Sequence, residues 1–352
     1  MLITVAICTH NRCGALVEAL RSLRAAAPPV APWELIVVDN ASQDATASAL
    51  AQFADTLPLR VVVEPEVGLS RARNAAVAQA RGDYIIWTDD DVLVDSNWLR
   101  AYENAFRTWP DSVFFGGPIT PLFDGTPPAW LMDALKGVAN AYAALDFGAE
   151  EIALDERTVP FGANFAIRAE EQRSCLYDPR LGRRGKHLYA FEESAVLRKL
   201  LARGARGRWV PAAHVRHVIS QRRQTPHYLR SYYAGHGTSI ALTWPPTGGP
   251  TLLGRPRWLW REAISHELAY RLRRLYASSA VWTAHLRRAS VAWGMLRVGT
   301  SAAGDRDVTS RNTPEIADQS EPSMTTKGPR SGATSSGPSA RPSTSRDLRE
   351  GQ

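Results

Sequence analysis

The first ninety residues alternate between short apolar runs and segments with helical spacing. Apolar or β-branched runs occupy residues 2–8, 35–39, 60–64 and 84–88, and a small-residue helix rich in Ala is predicted over 68–80. Such alternation is typical of a parallel sheet wrapped by helices. Because these sheets bind ligands beyond the carboxyl ends of their strands, the polar residues after each run form the candidate site.

The alternation of apolar runs and helical segments becomes irregular after about residue 120, which indicates that the chain has several regions. Residues 1–120 and 121–254 are predicted to be the two halves of one domain, and residues 159–168 form a strand-like run in the second half. Two amphipathic helices are predicted over 255–298. Residues 299–352 are rich in Ser, Thr, Pro and Gly without an aromatic residue, so we expect a disordered tail.

The net charge of +7 is concentrated in residues 255–298, which carry nine Arg and two Glu. Each predicted helix of this segment has an apolar face. These faces comprise Ile264, Leu268, Leu272 and Leu275 on the first helix, and Trp282, Leu286, Ala289, Trp293 and Leu296 on the second. Two interpretations stay open. The helices lie on an anionic membrane surface, or they pack on the rest of the chain and expose their Arg residues to water.

The sequence indicates a protein of the cytoplasm. Residues 1–8 lack a basic leader and a small-residue cleavage site, so they are interpreted as a strand rather than a signal peptide. No run approaches the roughly 18 apolar residues that span a bilayer. Cys8, Cys13 and Cys175 are an odd number without a CxxC pair, which argues against a disulfide framework or a structural zinc site.

Three consecutive carboxylates, Asp89, Asp90 and Asp91, follow the fourth apolar run. Burying three like charges requires a cation, because each uncompensated charge costs several kcal/mol. Carboxylate oxygens favour Mg²⁺ or Mn²⁺ over zinc. The alternative is an exposed acidic turn that begins a helix, where Asp is a good cap.

Polar side chains also follow the first two runs. Thr9, Asn11 and Arg12 come after the first run, and Asp39 and Asn40 end the second. Asp and Asn side chains can bind a nucleotide base and ribose hydroxyls, and an Arg can face phosphate. Helix capping is the alternative for the two Asn residues, but capping does not explain polar residues at several strand ends at once.

These motifs, in this order, resemble glycosyltransferase family 2. The resemblance rests on residues 7–12 (ICTHNR), 37–42 (VVDNAS), 68–74 (GLSRARN), 82–84 (GDY) and 89–91 (DDD). It continues more loosely to about Gly237, through FGAN at 161–164, FEE at 191–193 and the stretch from Pro211 to His217. It implies an α/β protein of GT-A type, with a Rossmann-like, mostly parallel sheet flanked by helices and a C-terminal helical appendage.

The resemblance implies a role for each candidate residue. The residues that bind the nucleotide sugar would be Thr9, Asn11, Arg12, Asp39, Arg73, Asn74, Asp89 and Asp90. The ligands of Mn²⁺ or Mg²⁺ would be Asp91, Asp89 and His217. His214 aligns less well, and a lone His is more often structural. The catalytic base would be Glu193, with Glu192 beside it, and the reaction would invert the sugar carbon. Members commonly have Glu-Asp here, so either acid could act, and the alternative is a helix N-terminus that favours acids.

The resemblance therefore implies a metal-dependent glycosyltransferase that moves a sugar from a nucleotide-diphosphate sugar to an acceptor hydroxyl in glycan or polysaccharide biosynthesis. Residues 1–120 would bind the donor and residues 121–254 a glycan or lipid-linked acceptor. The basic loop 183–187 would close on the diphosphate, unless it is simply solvated. Residues 221–225 (QRRQT) lack the Trp of the Gln-x-x-Arg-Trp motif of processive synthases, which favours transfer of one sugar at a time.

Other protein classes fit the sequence less well. A dinucleotide-dependent dehydrogenase needs a glycine-rich turn after the first strand, and this chain has CTHNR at that place. The alternative outside catalysis is a membrane-surface or nucleic-acid-binding protein whose GT-A-like domain is inactive. We expect no nucleic acid partner. Peripheral contact with the inner face of the cell membrane would run through residues 255–298.

Overall fold

The computed structural model of the chain describes residues 1–185 and 188–298. The strands are β1 (Ile3–Thr9), β2 (Trp33–Asp39), β3 (Leu59–Val63), β4 (Tyr84–Asp89), β5 (Val92–Val94), β6 (Ser112–Gly116), β7 (Ile119–Phe123), β8 (Ala153–Leu154), β9 (Asn164–Arg168), β10 (Arg206–Trp209), β11 (Val215–Ile219), β12 (Thr251–Leu252) and β13 (Arg255–Pro256). The helices are α1 (Cys13–Ala25), α2 (Thr46–Ala51), α3 (Leu69–Gln79), α4 (Trp98–Thr108), α5 (Ala129–Val138), α6 (Ala169–Ser174), α7 (Glu192–Ala202), α8 (Pro226–Thr243), α9 (Arg257–Arg273) and α10 (Ser279–Leu296). Short 3₁₀ helices occupy Ala139–Tyr142 and Gln221–Arg223.

A large sheet with the strand order β3-β2-β1-β4-β9-β6-β10-β8 forms the centre of the fold. The first four strands in this order are parallel, whereas β9 runs antiparallel to both of its neighbours. Each of these four strands coincides with an apolar run of the sequence to within two residues, and the predicted Ala-rich helix is α3. The predicted mostly parallel sheet flanked by helices is thus confirmed.

The central strands are apolar on both sides because helices cover both faces of the sheet. Along β1, Val5 and Ile7 pack in the cluster that contains Leu16 of α1. Ala6 points to the other face and packs against Ala76 of α3. The small side chains there allow α3 to lie close to the sheet.

The strand-like run at residues 159–168 is a strand only from Asn164 onward, so its first half was predicted wrongly. Pro160 has no N–H to donate to a ladder, and a turn follows it. Asn164 is fully buried, and its side chain makes four hydrogen bonds. The amide donates to the carbonyls of Pro118 and Ala213, and its oxygen accepts from Trp98 Nε1 and Tyr102 Oη.

A smaller sheet, β5-β11-β7, brings the second half of the chain to the end of β4. Strand β5 begins directly after the three aspartates and pairs antiparallel with β11, so that Val92 lies opposite His217. The backbone N–H of Val218 donates to the carbonyl of Asp91 at 2.8 Å. This register places a late histidine beside an early carboxylate.

Helix α10 packs on α8 and α5 and buries most of the apolar face that the sequence predicts, with Trp293 and Leu296 half-buried. Trp282, Leu286 and Ala289 are all less than a tenth exposed. Gly237 of α8 lies so close to the backbone of α10 that a Cβ there would overlap the Val291 carbonyl. The interpretation that this helix packs on the rest of the chain is confirmed for α10.

Helix α9 is different, because it is packed through a face other than the one its sequence predicts. Its buried residues are Leu259, Ala263 and Tyr270. The predicted apolar face is exposed instead, and it consists of Ile264, Leu268, Leu272 and Leu275. The packing interpretation is therefore wrong for the predicted face of α9.

Other predictions concern the membrane, the cysteines and the boundaries of the regions. Among the described helices, none combines the length and apolar content needed to cross a bilayer. Cys8, Cys13 and Cys175 are all free thiols. The predicted tail at 299–352 lies outside the described residues, and the divisions after residues 120 and 254 stay predictions.

Candidate functional site

The three aspartates at the end of β4 are not equivalent. Asp90 and Asp91 are buried, whereas the side chain of Asp89 is 36% exposed. They are followed by β5 and not by a helix, so the alternative of a helix-capping acidic turn is excluded. The aspartates lie where the carboxyl end of a parallel strand meets the second sheet, as a binding site of this fold class requires.

Asp91 is surrounded by three nitrogen-bearing side chains. Its Oδ2 lies 2.6 Å from Arg12 Nη2, 2.9 Å from Arg223 Nη1 and 3.3 Å from His217 Nε2. Burial alone would raise the pKa of Asp91, but His217, Arg12 and Arg223 hold that pKa well below its usual range. Asp91 therefore carries a negative charge at neutral pH.

Asp90 completes the cluster from the other side. It accepts hydrogen bonds from Thr9 Oγ1 at 2.8 Å and from Arg12 Nη1 at 2.7 Å. Burial raises the pKa of Asp90 to about 7, in spite of the adjacent Arg12 guanidinium. Arg12 thus spans two neighbouring carboxylates, and Thr9 and Arg12 are held at the aspartates as the sequence analysis expects of one shared site.

The two glutamates begin α7 and face the same cleft from the opposite side. Phe191, the residue before them, has a φ of 77°, a left-handed conformation that costs a non-glycine residue about 1–3 kcal/mol. This turn starts the helix at Glu192, so both carboxylates lie in its first turn, where the helix dipole favours negative charge. The observed geometry satisfies both the catalytic and the helix-dipole interpretation.

Arg73 lies between the aspartates and the glutamates. Its guanidinium is 3.6 Å from Asp89 Oδ1, 3.5 Å from Glu192 Oε1 and 4.0 Å from Glu193 Oε2. It is almost fully buried, and Gly162 allows this because a side chain there would overlap the guanidinium. Its Nη1 has no hydrogen-bond partner among the described residues.

Aromatic rings hold Arg73 in place. Its guanidinium carbon lies 5.4–5.9 Å from the ring centroids of Trp87, Phe165 and Tyr177. Contacts of this kind are worth about 0.5–2 kcal/mol each when desolvated. The cation is consequently fixed in one position, from which it contacts all three carboxylates.

The two glutamates differ in environment. Burial raises the pKa of Glu192 to about 8, and the nearby charge of Glu193 adds to this while Arg73 opposes it. Glu193 is the more exposed of the two and accepts a hydrogen bond from the backbone N–H of Gly162 at 3.1 Å. With a pKa of about 8, Glu192 holds its proton for most of the time at pH 7.

Several predicted residues hold the loops that surround the site. Asn11 Oδ1 accepts from the backbone N–H of Gln43, and Asp39 Oδ1 accepts from that of Ser42. Asn40 Oδ1 accepts from Gly68 N, just before α3. Neither Asn caps the helix that follows it, so the capping alternative fails for both.

Asn74 is engaged with protein backbone. Its Nδ2 donates to the carbonyl of Tyr177, and its Oδ1 accepts from the backbone N–H of the same residue, both at 2.9 Å. His214 lies outside the cluster, bonded to Asp95 and Thr120. In the basic loop, Arg183 and Arg184 are exposed, and residues 186 and 187 lie outside the described residues.

Sequence analysis missed Arg223, which contacts both Asp91 and His217. Its Nη1 lies 3.1 Å from His217 Nε2, and its Nε donates to Tyr228 Oη at 3.1 Å. Arg223 belongs to the QRRQT stretch at residues 221–225, whose resemblance to the motif of processive synthases gives this Arg no role. A pattern of Arg six residues after His gives no signal by itself, because the 3₁₀ turn between them determines where the side chain points.

The chemistry of Asp91 and His217 fits a divalent cation. His217 Nδ1 lies 2.7 Å from the Tyr142 carbonyl, an acceptor, so this nitrogen carries a proton and Nε2 is the ring atom that faces Asp91. An imidazole nitrogen beside a carboxylate oxygen is a donor set that divalent cations use, and the Arg223 guanidinium lies beside both groups. Within residues 1–185 and 188–298 no three His, Cys, Asp or Glu side chains form a ligand cluster. Mg²⁺ commonly uses one or two carboxylates together with substrate phosphates, so a smaller set suffices.

Comparisons with known proteins agree with the fold described above. Residues 4–165 match the family model described as Glycosyl transferase family 2. The succinoglycan biosynthesis protein ExoM of Rhizobium meliloti is 31% identical over 133 residues, which cover 37% of this chain and 42% of ExoM. The matches span less than half the length of the first curated relatives.

Two solved structures show a similar fold. The mannosyltransferase PcManGT from Pyrobaculum calidifontis, in complex with GDP-Man and Mn²⁺, is 19% identical with a TM-score of 0.50, over 86% of this chain and 77% of its own. S. aureus TarS 1-349 in complex with UDP-GlcNAc is 14% identical with a TM-score of 0.50, over 84% and 90% of the two chains. At these identities the similarity concerns the fold.

Proposed function

We propose that this chain, which matches the glycosyltransferase family 2 model over residues 4–165 and has a GT-A-like fold, transfers one sugar, with inversion, from a nucleotide-diphosphate sugar to an acceptor hydroxyl. The observation that carries the proposal is the position of Arg73. Its guanidinium lies within 4.0 Å of Asp89 in the aspartate cluster and of Glu192 and Glu193 at the start of α7. A group that stabilises a departing diphosphate and a group that removes a proton are therefore near each other.

The donor half of the proposal rests on the ends of β1, β2 and β4. Thr9, Asn11, Arg12 and Asp39 line one edge of the sheet, and Asp89 is exposed enough to meet a ligand. The similar structures with GDP-Man and UDP-GlcNAc support a nucleotide-sugar donor. Arg73 and Asn74 were expected to contact the donor directly, and we now propose that they position the groups around it.

Asp91 and His217, with Asp89 nearby, would hold Mn²⁺ or Mg²⁺. When bound, the metal supplies positive charge to the oxygens of the diphosphate. Arg223, which lies 2.9 Å from Asp91, would add a further positive charge near the diphosphate. The PcManGT complex with Mn²⁺ supports a divalent metal in this fold.

Glu193 would be the general base. As the acceptor oxygen forms its bond to the anomeric carbon, the hydroxyl proton passes to a Glu193 oxygen, and the bond between that carbon and the diphosphate breaks on the opposite face. Direct displacement of this kind inverts the configuration of the carbon. Burial raises the pKa of Glu192 to about 8, so at pH 7 this carboxyl already holds a proton for most of the time, which favours Glu193 for this role.

The acceptor would be a glycan or lipid-linked sugar, in polysaccharide biosynthesis like that in which ExoM is named. Transfer of a single sugar is favoured by the missing Trp in residues 221–225. We place the enzyme in the cytoplasm, with peripheral contact to the inner face of the membrane through residues 255–298.

Thermal stability with nucleotides tests the proposal. A ligand of the folded state at about 100 times its Kd stabilises by about 2.7 kcal/mol, so UDP or GDP should raise the Tm when Mn²⁺ or Mg²⁺ is present, and much less with EDTA. A panel of nucleotide sugars, scored by hydrolysis, then identifies the donor. No rise with any nucleoside diphosphate and metal would reject catalysis in favour of a non-catalytic GT-A-like domain.

A further inference from the structure

The outward side of α9 carries four large apolar side chains in a row, which we call the outer stripe: Ile264, Leu268, Leu272 and Leu275. Their exposed fractions are 48%, 62%, 59% and 81%. The spacings of four, four and three residues place them on one face of the helix. Contiguous exposed apolar surface of this kind marks an interaction site more often than scattered single residues do.

The outer stripe has no role in the core. Helix α9 already buries Leu259, Ala263 and Tyr270, which lie on the opposite side of the helix. These inward residues pack with residues of α8 and α10, so the position of α9 is fixed without the stripe. Folding thus leaves the stripe available for something outside the described chain.

Basic side chains flank the outer stripe. Arg257, Arg261 and Arg271 are exposed on its side of α9, whereas the guanidinium of Arg274 lies over the rings of Tyr270 and Trp282. Of the two acids on α9, Glu267 is paired with Arg230 and Arg271, which removes it as a counter-charge for an outside partner. The face therefore combines apolar surface with a positive field.

We infer that the outer stripe is the surface by which this protein docks on an anionic lipid bilayer. Leucines that enter the boundary between headgroups and acyl chains would lose their contact with water, and flanking guanidinium groups would meet lipid phosphates. Leu253, at the β12–β13 turn that precedes α9, is also 81% exposed.

Other occupants fit the surface less well. A second copy would bring two segments of nine Arg and two Glu each against one another, which is unfavourable. The sequence after residue 298 has no aromatic and only four widely spaced large apolar residues, so it offers little to cover a row of leucines. A nucleic acid would use the Arg residues but leave the leucines in water.

Co-sedimentation of the full chain with vesicles tests the inference. We expect binding to vesicles of 30% phosphatidylglycerol in phosphatidylcholine, and binding at least about tenfold weaker to phosphatidylcholine alone, because each basic residue near an anionic surface contributes about fivefold. Raising the salt from about 0.05 M to 0.5 M should reduce binding several-fold.

Paired substitutions in α9 distinguish the contribution of the apolar stripe to vesicle binding from the effect of net charge. Leu268→Glu with Leu272→Glu should lower the partition coefficient at least about tenfold, since burying a leucine is worth that much or more. Val30→Glu, at an 85% exposed position outside α9, is the control for a negative charge added away from the stripe and should have about a twofold effect. Leu268→Gln with Leu272→Gln repeats the test without new charge, and Tm and donor hydrolysis should stay unchanged.

Several outcomes would overturn the inference. Equal binding of the double variant and the Val30→Glu control would show that the stripe does not dock. Absence of binding to anionic vesicles at low salt would do the same. A dimer in light scattering that the double variant converts to a monomer would assign the stripe to a second copy, and loss of RNA binding in the Arg257→Gln, Arg261→Gln variant without any vesicle binding would assign the face to nucleic acid.

Discussion

Asp91 and Glu192 are buried to nearly the same degree, yet they differ in charge. Asp91 is 4% exposed and Glu192 is 5% exposed. Asp91 has Arg12, Arg223 and His217 within 3.3 Å, and its pKa is held well below the usual range. Glu192 shares one guanidinium at 3.5 Å with two other carboxylates, and its pKa rises to about 8.

Because burial raises the pKa of both carboxylates, the comparison shows that the number of nearby cations determines the difference in their charge. A site with an excess of cations keeps its carboxylate ionised. A site with too few cations for its carboxylates keeps one proton, as coupled acids do. The carboxylates on the two sides of Arg73 thus suit two different tasks. The aspartate cluster would bind a charged leaving group, and the glutamates of α7 would accept a proton.

The largest expected effect comes from removing the ionised carboxylate of the first site. Asp91→Ala should lower the transfer rate by about 10³-fold or more, because stabilising the charge of the leaving diphosphate is worth several kcal/mol. It should also abolish the metal-dependent rise in Tm with nucleotide. Circular dichroism checks that the fold is kept, and metal-stimulated activity in this variant would remove Asp91 from the site.

A smaller loss is expected at the second site. Glu193→Gln should lower the transfer rate by about 10²-fold, the usual contribution of a general base, with little change in donor affinity. Steady-state kinetics with a saturating donor measures it, and Glu192→Gln is the matched control. A larger loss for Glu192→Gln than for Glu193→Gln would exchange the assigned roles.

Arg73→Met should remove the cation that lies between the aspartate cluster and the two glutamates. Removing one partner of a buried charge cluster typically costs about 3 kcal/mol or more of the free energy of unfolding, because carboxylates are left without their cation. The pKa of Glu192 should also rise further, since Arg73 opposes the effect of burial on that pKa. Urea unfolding at several pH values tests both expectations, and unchanged stability would show that Arg73 does not compensate these carboxylates.

The sequence predicts the strands and many of the residues in this comparison, but it does not predict the difference in charge between Asp91 and Glu192. The apolar runs locate the four parallel strands, and the polar residues after them locate Thr9, Arg12 and Asp89 to Asp91 at one edge. Local patterns do not reveal that Arg223 reaches Asp91, since 132 residues separate them and a 3₁₀ turn sets the contact. Nor do they reveal that Asn74 binds the Tyr177 backbone, which depends on how a distant loop folds over α3.

Helical periodicity has the same limit in α9. The pattern of Ile264, Leu268 and Leu272 correctly predicts a helix with an apolar face. It does not tell which face packs, because a residue such as Tyr270 is able to bury its ring against α10 and a leucine row is able to remain outside. Amphipathic patterns identify a partner-facing side, and the partner is not always the protein's own core.

The smallest expected effect concerns the stability contributed by Glu192. Its pKa in the folded protein is about 8, above its ordinary value of 4.5. Between these values the folded protein keeps the proton that the unfolded chain releases, so the free energy of unfolding falls as the pH rises from about 4.5 to 8. Glu192→Gln has no proton to release and removes this slope. Its Tm relative to wild type should therefore increase by a few degrees across that pH window and change little above it. Differential scanning calorimetry at half-unit pH steps measures the difference, with Glu151→Gln at an exposed position as the control. A difference that is constant from pH 4.5 to 8 would mean that Glu192 is ionised in the folded protein, and the contrast with Asp91 would then disappear.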